Sequence, residues 1–562
     1  MGVSPPGKEE TVFYYPLLEV NRRLRQGERP HRVKAAGLFS VLLRKNGKTM
    51  TRFESLVHLV HSMTMPEKKA FRSKVCHKRK PASYQLLYDI IEKSPSDAPE
   101  TIRQAFLTQC PGSAFETTVK YLFSVLLDIM HDLKKNQDNV FMLFNKILNA
   151  RILYEKSLFD ECFDTLETVK QLAVKYENDY ALLMANRLEL DYLLALNFPN
   201  TSEQELLKKQ FRINEALKGI RKVNEQSSLY EILRHRTLYK GYARSQKEKN
   251  ELNDLIYSEL SLVASLSPEN FEISKLHQLF QSNYLISVGD FKSALRSYYE
   301  LINLFEANKH LWNSPPLYYM YTIEGVLETL RSIRDYEGMR HFTDQLRKIE
   351  SNSLDFRLNQ TCVVFLYELF PLLDAGEFRS ALELKQSYRE VLFDRFHLLS
   401  RARQAELCLY TGLIHFGNGD FQAAHRELSR IIVRGKSYFY LPLYRTIRLV
   451  NLMILYKLGD GEPIRYEIRS LRRDLSGNEK GYRIELLMLR FLIKQLPVTR
   501  KGKRKLLEKY LPEFEEIRTD VFEQQILRII DFTAWMESEL LMVPLAEVLA
   551  ERTEQFAADP VI

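Results

Sequence analysis

Three short segments of the 562-residue chain share one pattern: Gly289-Asp290-Phe291-Lys292-Ser293-Ala294, Gly376-Glu377-Phe378-Arg379-Ser380-Ala381 and Gly419-Asp420-Phe421-Gln422-Ala423-Ala424. Each reads Gly, acid, Phe, two variable residues, Ala, and each lies between two apolar-periodic stretches. Glycine ends a helix where the backbone must turn left-handed. The acid opens the next helix, where free N–H groups need an acceptor. Phe fills the gap between the two helices, and Ala three residues later lets them approach. A chain that repeats this corner is a chain of helical hairpins. Weaker copies run from Leu158-Phe159 to Cys162, from Asp335-Tyr336 to Met339, and from Gly459-Asp460 to Ile464, the last with Gly461 in the aromatic place. The closing positions 162, 294, 339, 381, 424 and 464 recur at about 43 residues, with three periods between 162 and 294. Two further reversals are therefore expected near residues 207 and 252.

This Gly-acid-aromatic-x-x-Ala corner resembles the turn of the tetratricopeptide repeat (TPR). The TPR period is about 34 residues, so the helices here are longer. HEAT and armadillo arrays have periods of about 40–47 but lack the corner. The resemblance covers roughly residues 140–480 and implies an all-α, right-handed solenoid of about eight TPR-like helix pairs. Low Gly and Pro content (21 and 20 residues) agrees with long uninterrupted elements.

The flanks divide as follows. Residues 1–49 mix Pro, Gly and Arg without apolar period and read as a poorly structured leader, with Met50 a candidate first residue of the natural protein. Residues 50–135 read as an N-terminal helical region. Phe53, Leu56, Val57, Val60 and Met63 lay one apolar face on its first helix. Thr64-Met65-Pro66-Glu67 starts a second. Leu86, Leu87, Ile90 and Ile91 mark a third over 82–93. Pro99 opens a fourth through Phe106 and Leu107, and 119–133 is amphipathic. Residues 481–556 read as a helical cap, with helices over 482–496, near 503–510 and as one long element over 521–542. Residues 557–562 form a tail.

The formal charge of +9 sits entirely in the first 80 residues, so the bulk of the chain does not have the electrostatics of a nucleic-acid-binding surface. A basic patch, Lys68, Lys69, Arg72, Lys74, Lys78, Arg79 and Lys80, supports an alternative reading: a TPR-like regulator whose N-terminal segment touches nucleic acid. Arg500 to Lys505 is a second basic run, expected to be matched by Glu513, Glu515 and Glu516. Five scattered cysteines without a Cys-x-x-Cys pair suit a reducing cytoplasm. No stretch of 18 apolar residues is present, so no membrane span is expected.

Motifs for chemistry are incomplete. Gly47-Lys48-Thr49 would need a Gly at Leu42 to make a phosphate-binding loop. His58 and His61, with Cys76-His77 nearby, have metal-ligand types but read as the flanks of an apolar stripe and part of a basic run. No His-Glu-x-x-His or Gly-x-Ser-x-Gly occurs. No enzyme activity, cofactor or metal is therefore expected, an enzyme with an unrecognised site being the remote alternative.

In the TPR, the second, fifth, ninth and twelfth positions of each first helix face the concave groove. Carried over, the resemblance implies Asn283, Tyr321, Glu324, Glu328, Arg331 and Tyr456 as partner-facing residues. The family's carboxylate clamp wants Lys and Asn in adjacent repeats. The successive fifth/ninth pairs Leu279/Asn283, Glu324/Glu328, Leu366/Phe370 and Leu409/Leu413 do not supply them. The expectation is a cytoplasmic, non-enzymatic scaffold that binds a protein or peptide on its concave face.

Overall fold

The computed structural model describes residues 51–75, 82–94, 99–135, 137–263, 270–459, 461–476, 481–494 and 496–558. The leader over 1–49, Cys76-His77, Lys78 to Lys80 and Asp460 lie outside them. The described residues are all-helical, with 26 α-helices and no strand. The described residues divide into two compact units, one up to residue 130 and one from residue 131.

The first unit holds α1 (Arg52–Ser62), α2 (Met65–Val75), α3 (Ser83–Lys93), α4 (Pro99–Gln109) and most of α5 (Phe115–Lys134). Thr51 and Glu54 cap α1 reciprocally, the Glu54 N–H donating to Thr51 Oγ1 at 3.2 Å. The expected apolar face of α1 is buried in full, Met63 included. α1 packs on α3 and α4, with Phe53 and Phe106 both against Phe115. Leu87 and Ile91 of α3 are buried as expected, beside Tyr88.

The second unit begins with α6 (Asn139–Glu155), α7 (Phe159–Lys175), α8 (Asp179–Ala195) and α9 (Glu203–Lys240), each packed on the next. The reversal expected near 207 is at Leu196–Ser202 instead, and α9 runs unbroken for 38 residues. Residue 207 has no corner because Ser202 and Glu205 already form the capping box of α9. Near 252 a break is present, between the five-residue α10 (Gln246–Asn250) and α11 (Asn253–Val263). These short helices do not repeat the regular hairpin.

Regular alternation resumes with α12 (Phe271–Ser287), α13 (Phe291–Ala307), α14 (Leu317–Ser332), α15 (Tyr336–Arg347), α16 (Leu354–Asp374), α17 (Phe378–Ser387), α18 (Arg401–Gly417), α19 (Phe421–Ile432), α20 (Leu443–Leu458) and α21 (Gly461–Ser476). Each packs on its successor, and α14, α16, α18 and α20 also touch one another in turn. The three corners share the glycine turn, but only two of the three acids cap the next helix, Glu377 making no side-chain hydrogen bond there. Gly289, Gly376 and Gly419 have φ of +80°, +75° and +80°. Asp290 and Asp420 accept from the N–H groups of Ser293 and Ala423. Ala294, Ala381 and Ala424 are wholly buried, as is Cys162. The motif's Phe378 fills the space left by Gly417, where a methyl group would overlap its ring.

The C-terminal region comprises α22 (Arg483–Ile493), α23 (Arg500–Thr519), α24 (Gln524–Leu527), α25 (Phe532–Leu541) and α26 (Leu545–Ala558). The element expected over 503–510 is longer, running through Pro512. The single helix expected over 521–542 is divided, because Asp531 caps α25 through the Ala534 N–H (3.0 Å). Gln525 donates to the Ala243 carbonyl (3.2 Å) and Thr553 to that of Asp374 (3.0 Å), so the region folds back onto the loop after α9 and the end of α16.

Candidate functional site

Tyr321, Glu324, Glu328 and Arg331 are spaced 3, 4 and 3 apart on α14, which places them on one helical face. That face meets two others. Tyr367, Phe370 and Asp374 share a face of α16, and Arg403, Glu406 and Tyr410 share a face of α18. Arg403 donates to both Glu324 oxygens at 2.6 Å and to Glu406 at 2.8 Å. Arg331 lies 3.5 Å above the Phe370 ring and donates to Asp374 at 3.3 Å and to the Tyr410 hydroxyl at 3.5 Å. Alternate helices α14 and α18 thus reach each other over α16. The three helices share a face on which ion pairs and aromatic rings meet, the rings of Tyr367, Phe370 and Tyr410 belonging to the hydrophobic core.

The electrostatics follow from half-burial. Arg403 keeps 13% of its side chain exposed and Glu406 32%. Burial raises the Glu406 carboxyl above its ordinary range, against the pull of Arg403. Burial would lower the Arg331 guanidinium, but Asp374 and Tyr410 hold it above its usual value, so it stays charged. At the other end of the face the Tyr242 hydroxyl donates to Glu328 at 2.9 Å and Arg528 donates to the same carboxylate at 2.7 Å. Burial first, and Glu328 second, push the Tyr242 phenol up to about 12.

The six residues carried over from the resemblance fall in different places. Glu324, Glu328 and Arg331 are together but engaged in pairs within the chain. Asn283 accepts from Arg234 of α9 at 2.8 Å. Tyr456 stands edge-on to Trp535 and is covered by α25. Tyr321 is 50% exposed. Leu366, Leu409, Tyr367 and Tyr410 are all buried, and the Tyr410 hydroxyl accepts from Arg331. Of the fifth and ninth positions read on α16 and α18, Phe370 lies against Arg331, whereas Tyr367, Arg403, Glu406 and Tyr410 were not picked out. The signal was available, since each belongs to a 3, 4 spaced set of polar and aromatic residues. Arg528 carried no local signal.

Comparison with protein-family models, curated proteins and solved structures finds no match.

In the first unit, Lys68 and Arg72 of the basic patch both pair with Glu92, at 3.2 and 2.6 Å. Burial raises Glu92, but these two cations bring it below the ordinary carboxylate range. Lys69 and Lys74 are exposed, and Lys78, Arg79 and Lys80 lie outside the described residues. His58 is exposed and His61 half-buried. No group of three potential metal ligands occurs among the described residues. Glu513 and Glu516 pair with Arg490 and Arg483, not with the 500–505 run. Among the described residues no helix is long and apolar enough to cross a membrane.

Proposed function

We propose that residues 140–480 form a TPR-like helical repeat array and that the protein is a non-enzymatic scaffold holding a protein or peptide partner on the inner face of α14, α16 and α18. One observation supports this above the others: three alternate helices bring together a row in which Arg331, Tyr367 and Tyr410 are buried while Tyr321, Glu324 and Glu406 keep contact with solvent. Core packing gives no reason for such a row, because buried ion pairs add little net stability over apolar side chains. Rigid aromatic and arginine surface is what recurs at the energetic centre of protein interfaces. Tyr321 is the open end of the row. A partner chain lying there meets an aromatic face, the Glu324–Arg403–Glu406 triad and, farther in, Arg331.

The reading is tested by placing a photo-crosslinking residue, Tyr321→p-benzoylphenylalanine, in the full-length protein in its source cell. A discrete protein adduct is expected from this position and not from the same residue at exposed Arg340 on α15. Equal adducts from both positions, or none from Tyr321, would count against the inner face as the docking surface.

A further inference from the structure

Away from the inner face, Lys385 of α17, His415 of α18 and Glu427 of α19 converge. Lys385 Nζ lies 2.9 Å from His415 Nε2 and 3.8 Å from Glu427 Oε1. Glu427 is shared with Arg430 at 3.1 Å. The nearest acceptor of the lysine is therefore a nitrogen base and not a carboxylate. An ammonium can donate to Nε2 only while the imidazole is neutral, so the pair is set for a proton to pass from amine to ring. The Phe393 ring covers one side at 5.7 Å. The lysine side chain retains 20% exposure, enough for a small reagent to reach Nζ.

We propose that Lys385 is an acyl-accepting lysine with His415 as its base, a covalent modification site for an activated acyl donor of the acyl phosphate or thioester class. Lys385 enters as the free amine, its first proton having gone to solvent. The nitrogen lone pair forms the C–N bond to the acyl carbonyl carbon. The C–O or C–S bond of the donor breaks, and its electron pair leaves on phosphate or thiolate. The remaining surplus proton on nitrogen passes to His415 Nε2, and the product is a neutral amide.

The surroundings favour the free amine. Burial and Arg430 lower the lysine below its ordinary value, against Glu427 and the Cys408 thiol. Burial and Lys385 itself lower His415, with Arg426 acting the same way and Glu427 and Asp420 against. Lysine is the side chain that yields most readily to such desolvation. This proposal does not depend on the scaffold reading.

The test is site-resolved acylation of the full-length protein at pH 7 with acetyl phosphate and, separately, with S-acetyl-N-acetylcysteamine, read by mass spectrometry. Lys385 is expected to acetylate at least about threefold faster than the well-exposed Lys218 and Lys309 with one of the two donors, and that donor assigns the class. His415→Gln should lower the Lys385 rate to that of Lys218 while leaving Lys218 and Lys309 unchanged. A Lys385 rate at or below the exposed lysines with both donors overturns the proposal, and this comparison needs no variant. An unchanged rate in a folded His415→Gln protein overturns the role of the histidine.

Discussion

Arg528 donates to Glu328 across 200 residues of sequence, at 2.7 Å. The same guanidinium donates to Ser332 Oγ at 3.1 Å and lies 5.1 Å from the Tyr242 ring. One side chain from the C-terminal region thereby joins α14 to the loop that follows α9. Glu523 accepts from the N–H groups of Arg483 and Ile484, at 2.7 and 3.1 Å, and so fixes the start of α22 from the same segment. The segment between α23 and α25 is thus a tie between early and late hairpins.

Removing that tie should be costly. Arg528→Ala leaves Glu328 half-buried with only the Tyr242 hydroxyl beside it. The expected loss is about 2–3 kcal/mol, below the usual range for a fully buried pair because Glu328 keeps 31% of its side chain in water. Denaturant unfolding of the variant measures it. In the double variant with Glu328→Gln the loss should be smaller than the sum of the two single losses, since no unpaired carboxylate remains.

Thiol chemistry should divide the cysteines by burial. Cys362 and Cys408 are buried in α16 and α18, and burial pushes both thiols up to about 12. Cys162 is raised for the same reason. A thiolate is the reactive form, so these three should resist iodoacetamide at pH 7.5 in the native protein. Cys110, half-exposed, should alkylate. Peptide mapping before and after denaturation checks the order.

Stability should fall on mild acidification. His415 is held below 6.5 by burial and then by Lys385, and His61 by burial and then by Lys68. Between the lowered folded value and 6.5 the unfolded chain binds more protons than the native one, so stability rises with pH across that window. The contribution is present above 6.5 and is lost as pH falls through the folded value. Urea midpoints taken from pH 7.5 to 5.5 should decline, and the slope should flatten in His415→Gln.

The hairpin corners were legible because glycine at φ near +80° is a local requirement that leaves a local mark. Corners without that mark were faint or misplaced. Ser157, Asn197 and Arg334 adopt the same left-handed conformation with φ of 59°, 59° and 58°. The fold-specific hydrogen bonds are kept there, as in Asp335 N–H to the Leu330 carbonyl at 2.9 Å, yet the residue type gives no sign of it. The face that α14, α16 and α18 share was legible in part. Spacing marked the row on α14 and Phe370 on α16, but on α18 the same rule read Leu409 and Leu413, whereas Arg403, Glu406 and Tyr410 make the polar contacts. Arg528 was not legible at all, since nothing local announces a partner 200 residues away.

The corner glycines separate backbone cost from packing cost. Gly419 has nothing within 4 Å of where a methyl group would sit, so Gly419→Ala should cost only the left-handed penalty, about 1–2 kcal/mol. At Gly376 the methyl group would stand 2.7 Å from the Ala546 carbonyl oxygen and 2.8 Å from its Cα. Backbone cannot rotate aside as a side chain can, so Gly376→Ala must displace α26 from the corner between α16 and α17. It should cost about 1–3 kcal/mol more than Gly419→Ala. Amide hydrogen exchange should localise the extra loss to α26, which also holds the Thr553 bond to the Asp374 carbonyl. Equal losses at the two glycines would mean that α26 does not rest on that corner in solution.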